Sequence, residues 1–198
     1  MLALRGLHRL QVGPVDLEVA PGTCVAIQGR SGAGKSVLLR MIADLDVHQG
    51  DALLDGHACS AMPAPTWRRQ VTYVAPDAGW WRERVGEHFA PDIDLAALLP
   101  AVGIAADAAQ WPVARLSTGE RQRIALLRAL HPGNRVLLLD EPTSGLDPES
   151  IGRVEALLRR RLDVGTSILM VTHDAEQAAR MAHRRFELRD GQLHPEAA

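Results

Sequence analysis

The sequence predicts an α/β domain built on a mainly parallel sheet. Three observations carry this. Short apolar runs alternate with stretches of helical period along most of the chain. Two of those runs, within RVLLLD (135–140) and TSILMVTH (166–173), are continuously apolar, as strands covered on both faces require. The chain has 198 residues, 46% of them hydrophobic, which suits one domain with a substantial core.

The elements follow in order. VAI (25–27) is a short apolar strand, then a Gly-rich turn, then KSVLLRMIADL (35–45) with helical spacing. DALLDG (51–56) is a strand between turn residues, and QVTYV (70–74) is another, enriched in β-branched and aromatic residues. The stretch at about 77–115 is rich in Ala, Pro and Trp, lacks strand signals and contains DLAALLPAV. It reads as a mostly helical insert. RVLLLD and TSILMVTH supply two buried strands. ESIGRVEALLRRRL (149–162) and AEQAARMAHRR (175–185) have helical period, and FELRDGQLH (186–194) reads as a hairpin turning at Asp190-Gly191. Strands separated by helices imply βαβ units. No internal repeat, low-complexity run or linker interrupts the chain, so one compact domain, 1–198, is expected.

Net charge is −2, with no basic surplus, so no nucleic-acid partner is expected. Two cysteines make no disulfide framework. Cys24, in TCVAI, reads as a core residue, and the pattern suits a reducing compartment. The N-terminus is broken by Arg5, Gly6 and Arg9 too early for a signal core. Apolar runs such as VLLL (136–139) fall far short of the roughly 20 residues that span a bilayer. Any membrane role is expected to come through a partner. Histidines outside the 173 region, among them His8, His48 and His88, lack metal-ligand spacing and read as surface groups.

GRSGAGKS (29–36) fits G-x-x-x-x-G-K-[ST] at every fixed position: Gly29, Gly34, Lys35 and Ser36. Glycines let successive N–H groups turn into a concave anion nest, and the following helix points its positive end at the same place. Arg30, Ser31, Gly32, Ala33 and Val37 complete the expected nucleotide-binding segment. Lys35 is the only lysine in the chain; every other basic residue is arginine. A compact ammonium on a flexible stem threads a narrow loop to a terminal phosphate, which arginine's planar fork does not. Ser36 offers a hydroxyl to Mg²⁺. The strand before the loop and the helix after it supply the context that makes the pattern specific.

RVLLLDE ends in Asp140 and Glu141. Two carboxylates at the C-terminal end of a buried strand stand where open α/β sheets bind ligands. Beside a phosphate loop, the first suits Mg²⁺ and the second suits orienting or deprotonating a water. Taken alone, the pair would equally serve as a helix cap.

Residues 116–123 read LSTGERQR, in which Ser117 and Gly119 open a helical pattern and form a second anion nest. One triphosphate needs one such cradle, unless two copies share each nucleotide. At this point the sequence resembles the ATP-binding cassette (ABC) ATPases, the motor subunits of ABC transporters. LSTGE (Leu116, Ser117, Thr118, Gly119, Glu120) resembles their signature LSGGQ. GRSGAGKS and VLLLDE match the two nucleotide motifs, SGLD (144–147) the D-loop, and His173 in MVTHD the switch histidine. Order and spacing agree over nearly the whole chain.

The resemblance implies a RecA-like P-loop NTPase core, at about 1–76 and 117–198, with an antiparallel β subdomain. A small helical subdomain falls at about 77–116. It implies ATP and Mg²⁺ as ligands, with Ser36 and Asp140 on the metal, Glu141 as base, and His173 near the γ-phosphate and water. It implies a head-to-tail homodimer in which Ser117 and Gly119 complete the partner copy's site and Asp147 communicates across the interface. The function implied is ATP hydrolysis driving a separate multi-span permease from the cytoplasmic face of the membrane. Two alternatives remain. One is a nucleotide-binding switch with weak hydrolysis. The other is a soluble ABC ATPase outside transport, whose usual coiled-coil insertion or second cassette this sequence lacks. The 68–81 segment is similar to small exporter subunits, iron-export ATPases among them.

Three departures from the family pattern stand out. Pro76 occupies the position of the usual glutamine. It has no amide for metal or water, and Gln70 lies too far upstream to substitute. Either the backbone or Asp77 compensates, or hydrolysis is slow. His8 and Arg9 stand near the place of the usual adenine-stacking aromatic. Thr118 replaces a signature glycine, tolerable where the backbone angle is ordinary. Trp80 and Trp81 follow Pro76 closely and suit either an exposed anchor or core packing.

Overall fold

The computed structural model describes residues 1–196. Its elements are β1 (Leu2–Arg9), β2 (Val12–Val19), β3 (Cys24–Gln28), α1 (Lys35–Ile42), β4 (Gln49–Leu54), β5 (His57–Ala58), α2 (Ala64–Gln70) and β6 (Val71–Val74). The chain continues through α3 (Leu95–Leu98), α4 (Thr118–Ala129), β7 (Val136–Asp140), α5 (Pro148–Asp163), β8 (Ser167–Val171), α6 (Ala175–Met181), β9 (Arg184–Arg189) and β10 (Gln192–Pro195). Two sheets form. The larger runs β10-β9-β3-β8-β7-β6, parallel except for the β9–β10 hairpin. The smaller runs β2-β1-β4-β5 and is antiparallel.

β3, β7 and β8 are hydrophobic without alternation because they lie at the centre of the larger sheet with both faces covered. α1 sits between the two sheets, and one cluster joins Leu38, Leu39 and Met41 to Leu4 and Val15 on one side and Ile27 and Leu138 on the other. Val154, Leu158 and Leu162 of α5 and Leu126 of α4 cover the opposite face. Each such buried aliphatic side chain stabilises by about 1.5–3 kcal/mol. Trp67 of α2 is fully buried and donates its indole N–H to Ile42 O at 2.9 Å, tying α2 to the end of α1. No helix of the described residues is long and apolar enough to cross a membrane.

Three sequence expectations need correction. The segment 77–115 is not a run of regular helix: apart from α3 it holds single 3₁₀ turns at Val85–His88, Leu99–Val102, Ala106–Gln110 and Val113–Arg115. Pro91, Pro100 and Pro112 cut the helical period there, and Gly103, at φ 70°, ends one turn. The turns pack around a cluster of their own, with Val85, Leu99, Val102 and Ile104 against Ile124 of α4. The helical pattern at 175–185 stops at Met181, because Arg184–Arg189 pairs with β3 as a strand. His88 is not a surface group. It is 7% exposed, and its Nε2 accepts the N–H groups of Trp81 and Arg82, each at 3.0 Å. With Nε2 accepting, Nδ1 carries the proton and donates to Arg84 O at 3.0 Å.

Candidate active site

The topology gathers the predicted residues at one edge of the larger sheet. β3, β7 and β8 run parallel in neighbouring positions, so their C-terminal ends lie side by side. The phosphate loop leaves the first, Asp140 and Glu141 end the second, and His173 follows the third. A cleft of about 320 Å³ opens there, lined by Ser31, Gly32, Gly34, Lys35, Ser36, Val37, Asp140, Glu141 and His173, with Gln11, Pro76 and Val171.

Local structure makes the loop an anion cradle. Gly34 caps α1 at φ 97°, and a Cβ there would stand 2.2 Å from Val12 Cγ2, so only glycine fits. Gly32 is also left-handed, at φ 79°. Lys35 is 6% exposed and donates to Gly29 O at 2.7 Å and Arg30 O at 3.0 Å. Two of its three ammonium protons therefore brace the loop, and the third remains for an anion. Arg30 and Ala33, with Ser31 and Gly32, also line an adjoining cleft of about 590 Å³ beside the β9–β10 turn, where Arg189 and Asp190 face them.

Asp140 is 3% exposed, and Tyr73 of β6 donates its hydroxyl to Oδ2 at 2.9 Å. Burial, the neighbouring carboxylate and this bond hold the Tyr73 hydroxyl pKa far above its ordinary value. Among the described residues, nothing donates a hydrogen bond to Oδ1. No group of three His, Cys, Asp or Glu side chains among the described residues could hold a metal by itself. One free carboxylate oxygen and the Ser36 hydroxyl, both in a phosphate-binding cleft, fit Mg²⁺, which takes few protein ligands and completes its shell with phosphate and water.

Glu141 is the only non-glycine residue of positive φ, at 51°, that lines this cleft. Such a conformation costs about 1–3 kcal/mol and persists only when its surroundings hold it. Its N–H donates to Val171 O at 2.9 Å, and Gln122 of α4 donates its side-chain amide to Glu141 O at 2.8 Å. The carboxylate Oε1 lies 3.1 Å from His173 Nε2, close enough for an ion pair but not aligned as a hydrogen bond. Oε1 is thus buried without a hydrogen-bond partner, an acceptor available to a bound water. Burial raises the Glu141 pKa, and the charges of His173 and Lys35 partly oppose it. A more basic carboxylate aimed into a phosphate cleft suits proton abstraction.

Other predicted residues stand elsewhere. Leu116, Ser117, Thr118, Gly119 and Glu120 open α4 and line no part of the cleft. Ser117 caps that helix in a reciprocal box: its hydroxyl accepts from Glu120 N–H at 3.2 Å, and Glu120 Oε2 accepts from Ser117 N–H at 2.8 Å. Thr118 sits at the first helical position with ordinary negative φ, so its Cβ is accommodated. Asp147 caps α5, accepting from Ser150 N–H at 2.9 Å and Ser150 Oγ at 2.7 Å.

At the departures, Pro76 lines the cleft, whereas Asp77 lines a neighbouring groove with Arg128. Arg9 donates to Val47 O at 2.7 Å, and neither it nor His8 lines the loop clefts; Gln11 lines both. Trp80 is half-buried and Trp81 is 65% exposed. Both rings stand edge-on to His88 at 4.8 Å, with the Arg128 guanidinium 4.9 and 4.7 Å from them. Sequence reasoning missed Tyr73, Gln11 and Gln122. Tyr73 carried a signal, a phenol one position before the end of a strand neighbouring RVLLLD.

The aliphatic sulfonates import ATP-binding protein SsuB of Cupriavidus pinatubonensis is 40% identical over 200 residues, covering 94% of this chain and 62% of that protein. That of Cupriavidus necator is 40% identical over 198 residues, covering 90% of this chain and 61% of that protein. This chain therefore spans about three fifths of their length. A second such protein of Pseudomonas aeruginosa, SsuB 2, is 37% identical over 214 residues, covering 97% of this chain and 73% of that protein.

Two solved structures share the fold at 24% identity. A dimeric ATP-binding cassette in a post-hydrolysis state with ADP and Pi matches with TM-score 0.81 over 99% of this chain and 98% of that one. A bacterial Atm1-family ABC exporter with ATP bound matches with TM-score 0.87 over 98% of this chain and 38% of that one. The family model described as ABC transporter matches residues 12–144, from β2 through the Asp140–Glu141 corner and into the segment that leads to α5. The chain belongs to the ABC transporter family.

Proposed function

We propose that this chain is the ATP-binding and ATP-hydrolysing subunit of an ABC transporter. It would work as a pair of copies on the cytoplasmic face of a membrane, driving a separate multi-span permease. The observation that carries the proposal is the convergence of the Gly29–Ser36 loop, Asp140, Glu141 and His173 on one cleft. The cradle and the positive end of α1 would take the phosphates, with Lys35 reaching the terminal one. Ser36 and Asp140 would hold Mg²⁺, which supplies charge neutralisation at the phosphates when bound. Glu141 would orient the attacking water and accept its proton through the unpartnered Oε1. His173, beside that oxygen, would keep the carboxylate aimed. Positioning and charge stabilisation supply most of the acceleration in such a reaction. The Ser117–Gly119 start of α4 lies outside this cleft and would complete the partner copy's site.

The test is Mg²⁺-dependent ATP turnover by the parent chain and by Lys35→Ala and Glu141→Gln. Both substitutions should abolish turnover, with Glu141→Gln still binding nucleotide. Turnover that survives both overturns the proposal. A slower, switch-like cassette is the second reading, favoured by Pro76 lining the cleft where an amide would reach metal and water. It predicts tight nucleotide binding with turnover near background, and restoration by Pro76→Gln. The relatives named above are import proteins, which favours import over the export that the 68–81 segment suggests.

A further inference from the structure

We infer that Gln122 is a positioning residue for Glu141, holding the left-handed backbone that places its carboxylate beside His173. The inference rests on the ATPase reading above for its kinetic consequence, but its structural content stands apart from it.

The corner after β7 is clamped from three sides. β8 takes the Glu141 N–H through Val171 O at 2.9 Å. α6 reaches it through Gln177, fully buried, whose amide donates to Thr143 Oγ1 at 2.7 Å. α4 reaches it through Gln122, whose amide donates to Glu141 O at 2.8 Å. That carbonyl also accepts the Ser144 N–H at 3.2 Å, a longer bond within the turn. Among the described residues, Gln122 is the only side chain that donates to a backbone group of the strained Glu141. Its amide bonds to the carbonyl, whose direction ψ sets, so it acts on the torsions that aim Cβ. The side chain it aims has Oε1 at 3.1 Å from His173 Nε2. Gln122 also lies five residues beyond Ser117, one turn into the same helix. A displacement of the start of α4 would therefore reach the base through a single side chain.

Gln122→Met keeps length and removes the donor. Two measurements decide. In steady-state hydrolysis, the variant should lose about tenfold in kcat, equal to about 1.4 kcal/mol of barrier, with KM for ATP within about twofold of the parent. In a crystal structure of the variant, Glu141 should leave the left-handed region or its carboxylate should move away from His173. A variant structure with Glu141 unmoved overturns the inference whatever the kinetics show. An unchanged kcat, or kcat and KM worsening together, also overturns it, because a general structural role does that. If the parent chain fails to hydrolyse ATP, the functional proposal falls, and the crystal structure alone decides the role of Gln122.

Discussion

Replacing Tyr73 by Phe isolates one hydrogen bond at the centre of the site. The bond runs 2.9 Å from the Tyr73 hydroxyl to Asp140 Oδ2, and Asp140 is only 3% exposed. Phenylalanine keeps the ring that packs on the main core cluster, so no cavity opens. A hydrogen bond to a charged group contributes about 1.5–3 kcal/mol, and its loss leaves a buried carboxylate oxygen without a donor. Removing the burial cost of the phenol hydroxyl offsets a small part, leaving a net loss of about 2 kcal/mol. In a chain of 198 residues, each kcal/mol moves Tm by about 2–4 °C, so a fall of about 4–8 °C is expected. Circular-dichroism melts of the parent, Tyr73→Phe, Asp140→Asn and the double variant measure it as a cycle. The double variant should cost clearly less than the sum of the singles. A shift below about 1 °C, or additive losses, would refute the idea that this bond fixes the carboxylate.

The legibility of this protein divides along physical lines. The buried strands were plain because a strand covered on both faces must be continuously apolar, and VLLL in β7 and SILMV in β8 show nothing else. The phosphate loop was equally plain, since Gly34 serves a position where a Cβ has no room. Asp140, Glu141 and His173 were legible because each ends or directly follows a parallel strand, and a parallel sheet aligns those ends without help from distant residues. What sequence could not supply were side chains reaching in from other elements. Tyr73 finds Asp140 across 67 positions and Gln122 finds Glu141 across 19, contacts that no local period encodes. His88 was misread for the same reason. Its burial is set by two indoles and by backbone N–H groups of its own loop, in a segment where prolines suppress helical period. Arg9, near the expected place of a stacking group, has its guanidinium tied to Val47 O and lines neither loop cleft, a contact 38 positions away that the sequence does not show.

Three further expectations concern the caps, the tryptophan cluster and the base. Asp147→Ala removes the α5 cap and should lower Tm by a few degrees, while Asp147→Ser should retain most of it. His88→Ala should cost about 2–3 kcal/mol in urea unfolding, because two backbone N–H groups lose their acceptor. Trp81→Ala, at an exposed ring, should cost less than that. Glu141→Gln should raise Tm at neutral pH. Burial raises the Glu141 pKa in the folded chain above its value in the unfolded chain. The unfolded state therefore gives up this proton at lower pH, and the native state is penalised once the carboxylate ionises. The group's favourable contribution is complete below the unfolded value of about 4.3 and is lost as pH rises through the folded one. Glutamine keeps the shape without the charge, so its advantage should be absent near pH 4, grow as pH rises from the unfolded pKa to the folded one, and level off above it. The difference in Tm between parent and variant, followed from pH 4 to 8, measures this. A difference that is flat with pH, or that grows toward acid, would mean that burial does not set the basicity of this carboxylate.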